Sequence, residues 1–454
     1  MSDLMSLLGL GSAGIAAQNS GVAVASNNVA NANTEGYSRQ RVDLESVLGP
    51  PLEGGVRAGD AQRYASNLLA SRIRTASGSL QMSQASADAL SDLEASLTSG
   101  ATIDGKIAAL FSRLSQVAAT PTDSVARDAV VNAANETVTN IHDKATAITD
   151  AQHAANSRIV DNAAQATLLA KQLADANKAV ARTGDPVAAD RRDLLAKQLS
   201  DLTGGSARID RDGQLRFVLS GGAVLVDGTH AASLQTTPDP TTGLAKVEVV
   251  DGNSRRDVTG AIDSGKLAAD LTFRDVTATR AMSQLDQLAY DLATSMNTVH
   301  SANAALDGTT GHAMFVAPAA VTGAAAALAV DPTLAADSAN LAVAAPGTGP
   351  GDNKGALALF ALANQNVASG GTKTLTDAAI EMIGAVGTEG AAAQGDVARD
   401  TMVSDHLAGL RDSLAGVDTQ EELTNLARFE HASSAMTKFV STIDGMLSSL
   451  IENL

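Results

Sequence analysis

Ser26-Asn27-Asn28-Val29-Ala30-Asn31-Ala32-Asn33-Thr34-Glu35-Gly36-Tyr37-Ser38-Arg39-Gln40 is the stretch on which the fold turns. Asparagine tolerates the left-handed region and bonds its own backbone, so a burst of it ends a helix. Gly36 then permits a tight turn into an extended segment beginning at Tyr37. An ordinary helix end uses a single Asn or Gly. The excess predicts side-chain amides that bond adjacent subunits; a decorated turn is the plainer alternative.

Upstream of this turn, Leu8, Ile15, Val22 and Val29 fall one heptad apart, beside a weaker line of Leu4, Gly11, Gln18 and Ala25. An aliphatic line next to a small one suits close helix contact. The far end of the sequence answers it. Leu426, Phe429, Ser433, Met436, Val440, Ile443, Leu447, Leu450 and Leu454 alternate spacings of three and four. Asp418 followed by Glu421 reads as a capping box that restarts a helix after Gly416. Two apolar stripes at the two ends need covering, and each is the natural partner of the other.

Between them runs a body of helices. From Thr122 to Arg182 the same alternation holds through Val138, Ile141, Ile148, Ile159, Leu173 and Val180. Sixty residues at ~1.5 Å each predict a rod of about 90 Å. Further helices are expected near 62–98, 104–118, 186–202, 275–304, 353–367 and 373–415. Residues 204–273 change character: a hairpin at Asp212-Gly213, then AVLVDG, KVEVVDG and KLAADLTF read as short strands. The stretch 305–352 reads as loop with short strands. The expected fold is mainly α with a small β-rich insertion. Its body is an elongated helical bundle or coiled coil, with the N- and C-terminal helices paired. The domains would be 1–45 with 416–454, 46–203 with 274–415, and 204–273.

Composition agrees with a thin helical body. Of 454 residues 44% are apolar, but only 2% are aromatic and Trp is absent, so alanine carries much of the apolar content. Alanine favours helix and buries little area. The net charge of −18 argues against nucleic acid or an anionic membrane as partner, since both need a basic footprint. With no Cys, thiolate and disulfide chemistry are excluded. The first charge is Asp3, so the N-terminus makes a poor signal peptide, and the Ala-rich run 313–330 is broken by Pro318 and Gly323.

No motif carries catalysis. Gly9-Leu10-Gly11-Ser12-Ala13-Gly14 matches a dinucleotide fingerprint by letter, yet only eight residues precede it and they join the heptad pattern. Asp210-Arg211-Asp212-Gly213 lacks the remaining ligands of a calcium loop. His142 and His153 are too far apart on one helix to share a metal, and His431 sits beside the C-terminal stripe. No cofactor, metal site or catalytic set is expected.

Asn27, Asn28, Ala30, Asn31, Thr34, Gly36 and Tyr37 resemble the NNxANxxTxGY motif of the bacterial flagellar axial proteins, the rod, hook and hook-associated subunits. Tyr37-Ser38-Arg39-Gln40, the run from Gly416 to Phe429, and Asp190-Arg191-Arg192-Asp193-Leu194-Leu195 are most similar to the hook-associated branch. So is the stretch from Gly265 to Val316. The resemblance implies a structural subunit, not an enzyme, that joins hook to filament. It implies self-assembly in a ring, contact with the hook protein and the filament-side junction protein, and an export chaperone on the C-terminal segment. It also implies type III export to the outside of the cell. A hook or rod subunit is the second reading, and an axial-like protein with an added enzymatic or adhesive domain the third. The residues expected to carry assembly are Leu8, Ile15, Val22, Asn27, Asn28, Val29, Asn31, Asn33, Thr34, Gly36, Tyr37 and Arg39. From the other end come Leu426, Phe429, Met436, Val440, Ile443, Leu447 and Leu450.

Overall fold

Alanine-rich segments with a three-four apolar alternation favour coiling. In the computed structural model, which describes residues 2–47 and 54–452, 67% of the chain is helical. The order begins α1 (Ser2–Ala30), β1 (Gln40–Arg41), β2 (Leu44–Val47), β3 (Gly55–Ala58), β4 (Gln62–Arg63), α2 (Asn67–Thr98) and α3 (Ile103–Ala119). Next come α4 (Ser124–Thr183) and α5 (Pro186–Thr203), then β5 (Ser206–Ile209), β6 (Leu215–Val218), β7 (Val224–Asp227), β8 (His230–Ala231), β9 (Ser233–Pro238), β10 (Ala245–Asp251) and β11 (Ser254–Asp257). The helices α6 (Gly265–Thr272), α7 (Ala278–Ser301), α8 (Ala324–Ala327), α9 (Pro332–Ala336), α10 (Lys354–Ala361), α11 (Leu375–Ala415) and α12 (Thr419–Glu452) follow. Leu454, the last member of the C-terminal stripe, lies outside the described residues.

The chain forms two compact units. One gathers Met1–Gln81, Asn162–Lys266 and Arg399–Leu454; the other gathers Met82–Asp161 and Leu267–Ala398.

The second unit has the continuous apolar core. Along α3, Ile103, Ile107, Leu110, Leu114 and Val117 recur at helical spacing with 0% exposure. They join Leu93, Ile141, Leu285, Leu292 and Phe315 in a single cluster. Three polar groups of this unit are matched to backbone, while Asn140 Oδ1 and His142 Nε2 are buried without a partner. Lys144 donates to the carbonyls of Ser96 and Ser99 at 3.0 and 2.7 Å, a cation on the negative end of α2. Arg127 is fully buried and donates to the carbonyls of Pro121, Ser338 and Leu341; burial lowers its pKa. His300 is equally buried. Its Nδ1 faces the carbonyl of His312 at 2.7 Å and its Nε2 accepts from the amide of Ala342 at 2.9 Å. That pairing requires the neutral Nδ1–H tautomer, and burial brings the pKa down to about 4.

In the first unit, β5-β6-β7-β8 form one antiparallel sheet and β11-β10-β9 another. The C-terminal part of α4 holds both. Asn177 donates to the carbonyls of Leu215 and Gly228 and accepts from the amide of Leu215. Thr167 exchanges both backbone bonds with Leu234 at 2.8 Å. Asp210 and Gln214 close the hairpin expected at Asp212-Gly213.

Two sequence expectations change. KLAADLTF is helix α6, not a strand, because Leu267 and Leu271 stand four apart and bury the same face. Residues 305–352 hold α8 and α9 as well as the bridges Phe315↔Val330 and Ala304↔Ala344. Asp286 caps α8, accepting from the amides of Gly323 and Ala325 at 2.9 Å.

Candidate assembly interface

α1 and α12 pack along their length, and the close contacts come from glycine. A Cβ on Gly11 would lie 2.5 Å from Val440, one on Gly14 2.9 Å from Met436, and one on Gly21 2.6 Å from the Phe429 ring. As the α1 number rises its partner's number falls, so the helices are antiparallel. Gly11, Gly14, Ala17, Gly21, Ala25 and Asn28 are the buried residues of α1. Of the weaker line expected from the sequence, only Gly11 and Ala25 fall in this seam; Leu4 and Gln18 are half-buried. The aliphatic line of Leu8, Ile15, Val22 and Val29 flanks the seam, half-buried. Large side chains of α12 fill the space that the small ones leave: Ile443 is buried, while Leu426, Phe429, Met436, Val440 and Leu447 are half-buried. The GxGxxG letters fall inside α1, with two of their glycines in this seam. The hairpin of β2 and β3 lies against another face of α1, with Gly55 close to Leu10.

The seam continues past the helix into a polar hub. Asn28 occupies the next seam position, 0% exposed, and uses its whole amide. Its Nδ2 donates to the Gln40 carbonyl at 2.8 Å and to Glu422 Oε2 at 3.0 Å. Its Oδ1 accepts from the Tyr37 hydroxyl at 2.8 Å and the Gln40 amide at 2.9 Å. Burial first, then the charges of Asp190 and Glu422, push the Tyr37 hydroxyl up to about 12, so it stays a neutral donor.

Arg39 closes the other side. It bonds Glu421 at 2.6 Å and Glu422 at 2.7 Å, and its amide donates to the carbonyl of Ala415. Arg411 donates to the carbonyl of Tyr37, and the amide of Ser38 donates to Asp190. Arg63 in turn bonds both Asp190 and Asp193. Gly36 takes φ +83° against Leu194, which a side chain would strain. Asp418 caps α12 by accepting from the amides of Gln420 and Glu421; the Glu421 side chain goes to Arg39 instead of completing a capping box.

The asparagines thus divide. Asn28 is consumed within the chain. Asn31, half-buried, bonds back to Asn27 and accepts from Thr34. Asn27, Asn33 and Thr34 are exposed, and so is Leu450. Sequence reasoning singled out the asparagine cluster but missed Gln40, Glu422, Asp190, Arg63 and Arg411. Asn28 was among the expected assembly residues, and its place in the seam was legible too: it stands seven residues after Gly21 and fourteen after Gly14. Among the described residues no cluster of His, Cys, Asp or Glu could hold a metal, and no helix is long and apolar enough to cross a membrane.

Residues 90–315 match the family described as the flagellar hook-associated protein FlgK helical domain, and residues 10–37 match the flagella basal body rod protein family. Flagellar hook-associated protein 1 of Bacillus subtilis (strain 168) is 26% identical, the comparison spanning 97% of this chain and 96% of that protein. Its counterpart in Escherichia coli (strain K12) is 24% identical over 99% and 100%. The solved flagellar hook junction protein FlgK from Burkholderia pseudomallei shares the fold: TM-score 0.69 at 15% identity, covering 76% of this chain and 100% of that one. Fold, terminal motifs and relatives agree, and the chain belongs to the bacterial flagellar axial proteins, in the hook-associated protein 1 (FlgK) family.

Proposed function

We propose that this protein is a structural subunit of the flagellum that joins hook to filament, and that it has no enzymatic role. The observation that carries this is the terminal helix pair. α1 and α12 cover each other along one seam, yet Met5, Leu423, Met446, Leu450 and Ile451 remain 42–62% exposed around it. Apolar surface of that kind on a paired module suits burial against neighbouring subunits. Residues 1–45 and 416–454 then form the assembly module, 46–203 with 274–415 the helical body, and 204–273 the outer β-rich part. The flanking residues Leu8, Ile15, Val22 and Val29, with the exposed Asn27, Asn33 and Thr34, are the assembly contacts of α1 and its turn. The chain leaves the cell by flagellar type III export, escorted at its C-terminal segment by a chaperone. It assembles as a ring between the hook protein and the filament-side junction protein.

Cells lacking the protein are expected to carry hooks without filaments in electron micrographs, and chains deleted for 1–30 or 425–454 are expected not to restore them. Filament growth with either truncation overturns the proposal. The rod-protein match over residues 10–37 favours a second reading as a hook or rod subunit. Labelling along the whole hook or in the rod, instead of one thin zone at the filament base, would establish it.

A further inference from the structure

Beside the asparagine turn, wholly within the first unit, lies a cavity of about 220 Å³, space for about seven waters. Leu69, Ile73 and Leu194 give it an apolar wall, and Arg63, Arg74, Lys197 and Arg411 line it as well. Its aspartates are already engaged, since Arg63 takes both Asp190 and Asp193. Arg74 is only 7% exposed, donates to the carbonyl of Ala207 at 3.2 Å, and keeps a buried Nε without a partner. Among the described residues Arg411 bonds the carbonyl of Tyr37 alone. Among the described residues neither guanidinium forms an ion pair, although Glu35 also lines the cavity, Asp193 acts on Arg74 through its charge, and this side chain forms its strongest pairs with a carboxylate.

The complementary chemistry stands at the other end of the helix pair. Met446, Leu450 and Ile451 are 56%, 42% and 62% exposed, with Asp444 and Glu452 exposed beside them. Glu422, at the hub next to the cavity, precedes Glu452 by thirty residues of one helix, about 45 Å. That end cannot reach the cavity of its own chain.

We propose that the cavity receives the last turns of α12 from a second copy, with Ile451 against Leu69 and Ile73 and the Glu452 carboxylate on Arg74 and Arg411. The contact joins unlike surfaces, head to tail, so it propagates from copy to copy instead of closing a pair. It rests on the reading of the chain as a self-assembling subunit.

The absence of cysteine makes the test clean. Full-length chains carrying only Leu69→Cys or only Ile451→Cys are co-expressed, and isolated flagella are oxidised. A disulfide-linked dimer of the two chains is expected, about tenfold above a control pairing Ile451→Cys with Val276→Cys. Glu452→Gln, which alters an exposed side chain, and Arg411→Gln are each expected to cut the yield about tenfold. Chains present in flagella without the dimer overturn the proposal, whatever else fills the cavity. A dimer indifferent to Glu452→Gln overturns the carboxylate contact. Chains absent from flagella count instead against the functional reading.

Discussion

Asn28 shows how much one buried amide can organise. Alanine there would leave the Tyr37 hydroxyl, the Gln40 amide and carbonyl, and one contact of Glu422 without their partner. Each buried orphan costs about 1–3 kcal/mol, so with four bonds lost Asn28→Ala is expected to weaken docking of α1 by about 4 kcal/mol or more. Faster amide exchange over residues 5–30 would register it. Tyr37 offers a spectroscopic handle on the same hub. Of three tyrosines, one should ionise near pH 12, and Tyr37→Phe should abolish that step in an ultraviolet titration. Because folding raises this pKa, the stabilisation is complete below pH 10 and is lost as pH climbs toward 12. His300 works in the opposite direction. Its folded pKa of about 4 lies below the ordinary 6.5, so its contribution is complete above pH 6.5 and disappears as pH falls through 4. The shift corresponds to about 3 kcal/mol. His300→Asn should flatten that part of the stability profile, measured by denaturant midpoint at successive pH values.

Between elements, the α1–α12 seam predicts opposite outcomes for neighbouring glycines. Gly9 faces open space, and Gly9→Ala should stabilise the helix by about 0.5–1 kcal/mol. At Gly14 a methyl meets the flexible tip of Met436, which can move aside, so Gly14→Ala should be nearly neutral. At Gly11 it meets the short β-branched Val440, and at Gly21 three atoms of the Phe429 ring. Those substitutions should separate the helices and lower the melting temperature of the terminal pair. The same seam explains what sequence reading could and could not find. Apolar spacing located α3, α4 and α12 to within a few residues, because each buries large side chains at helical intervals. In α1 it favoured Leu8, Ile15, Val22 and Val29, whereas the residues that let two backbones approach are those with almost no side chain. KLAADLTF deceived for a related reason: eight residues fit a half-buried strand and a short helix equally well. The hub was out of reach because Asp190, Arg63 and Glu422 come from distant segments, and only folding brings them to Asn28.

In the molecule as a whole, the large apolar cluster belongs to the second unit. Among the described residues, every member of that cluster lies within 82–161 or 267–398. Deleting residues 2–30 should therefore remove the terminal pair while the transition of the second unit stays within about 1 kcal/mol. Calorimetry of the truncated and full-length chains would show it; loss of both transitions would mean that the cores are coupled.

The crossing of Tyr37–Gln40 with Ala415–Glu422 has a mechanical consequence. The chain passes this point twice, once leaving the terminal pair and once returning, and each pass is fastened to the other through Arg39, Arg411 and Asn28. A pull on the helix pair is divided between two covalent connections that cannot slide independently. Freeing either requires several short bonds to shear together, so this crossing yields as a block and does not peel one residue at a time.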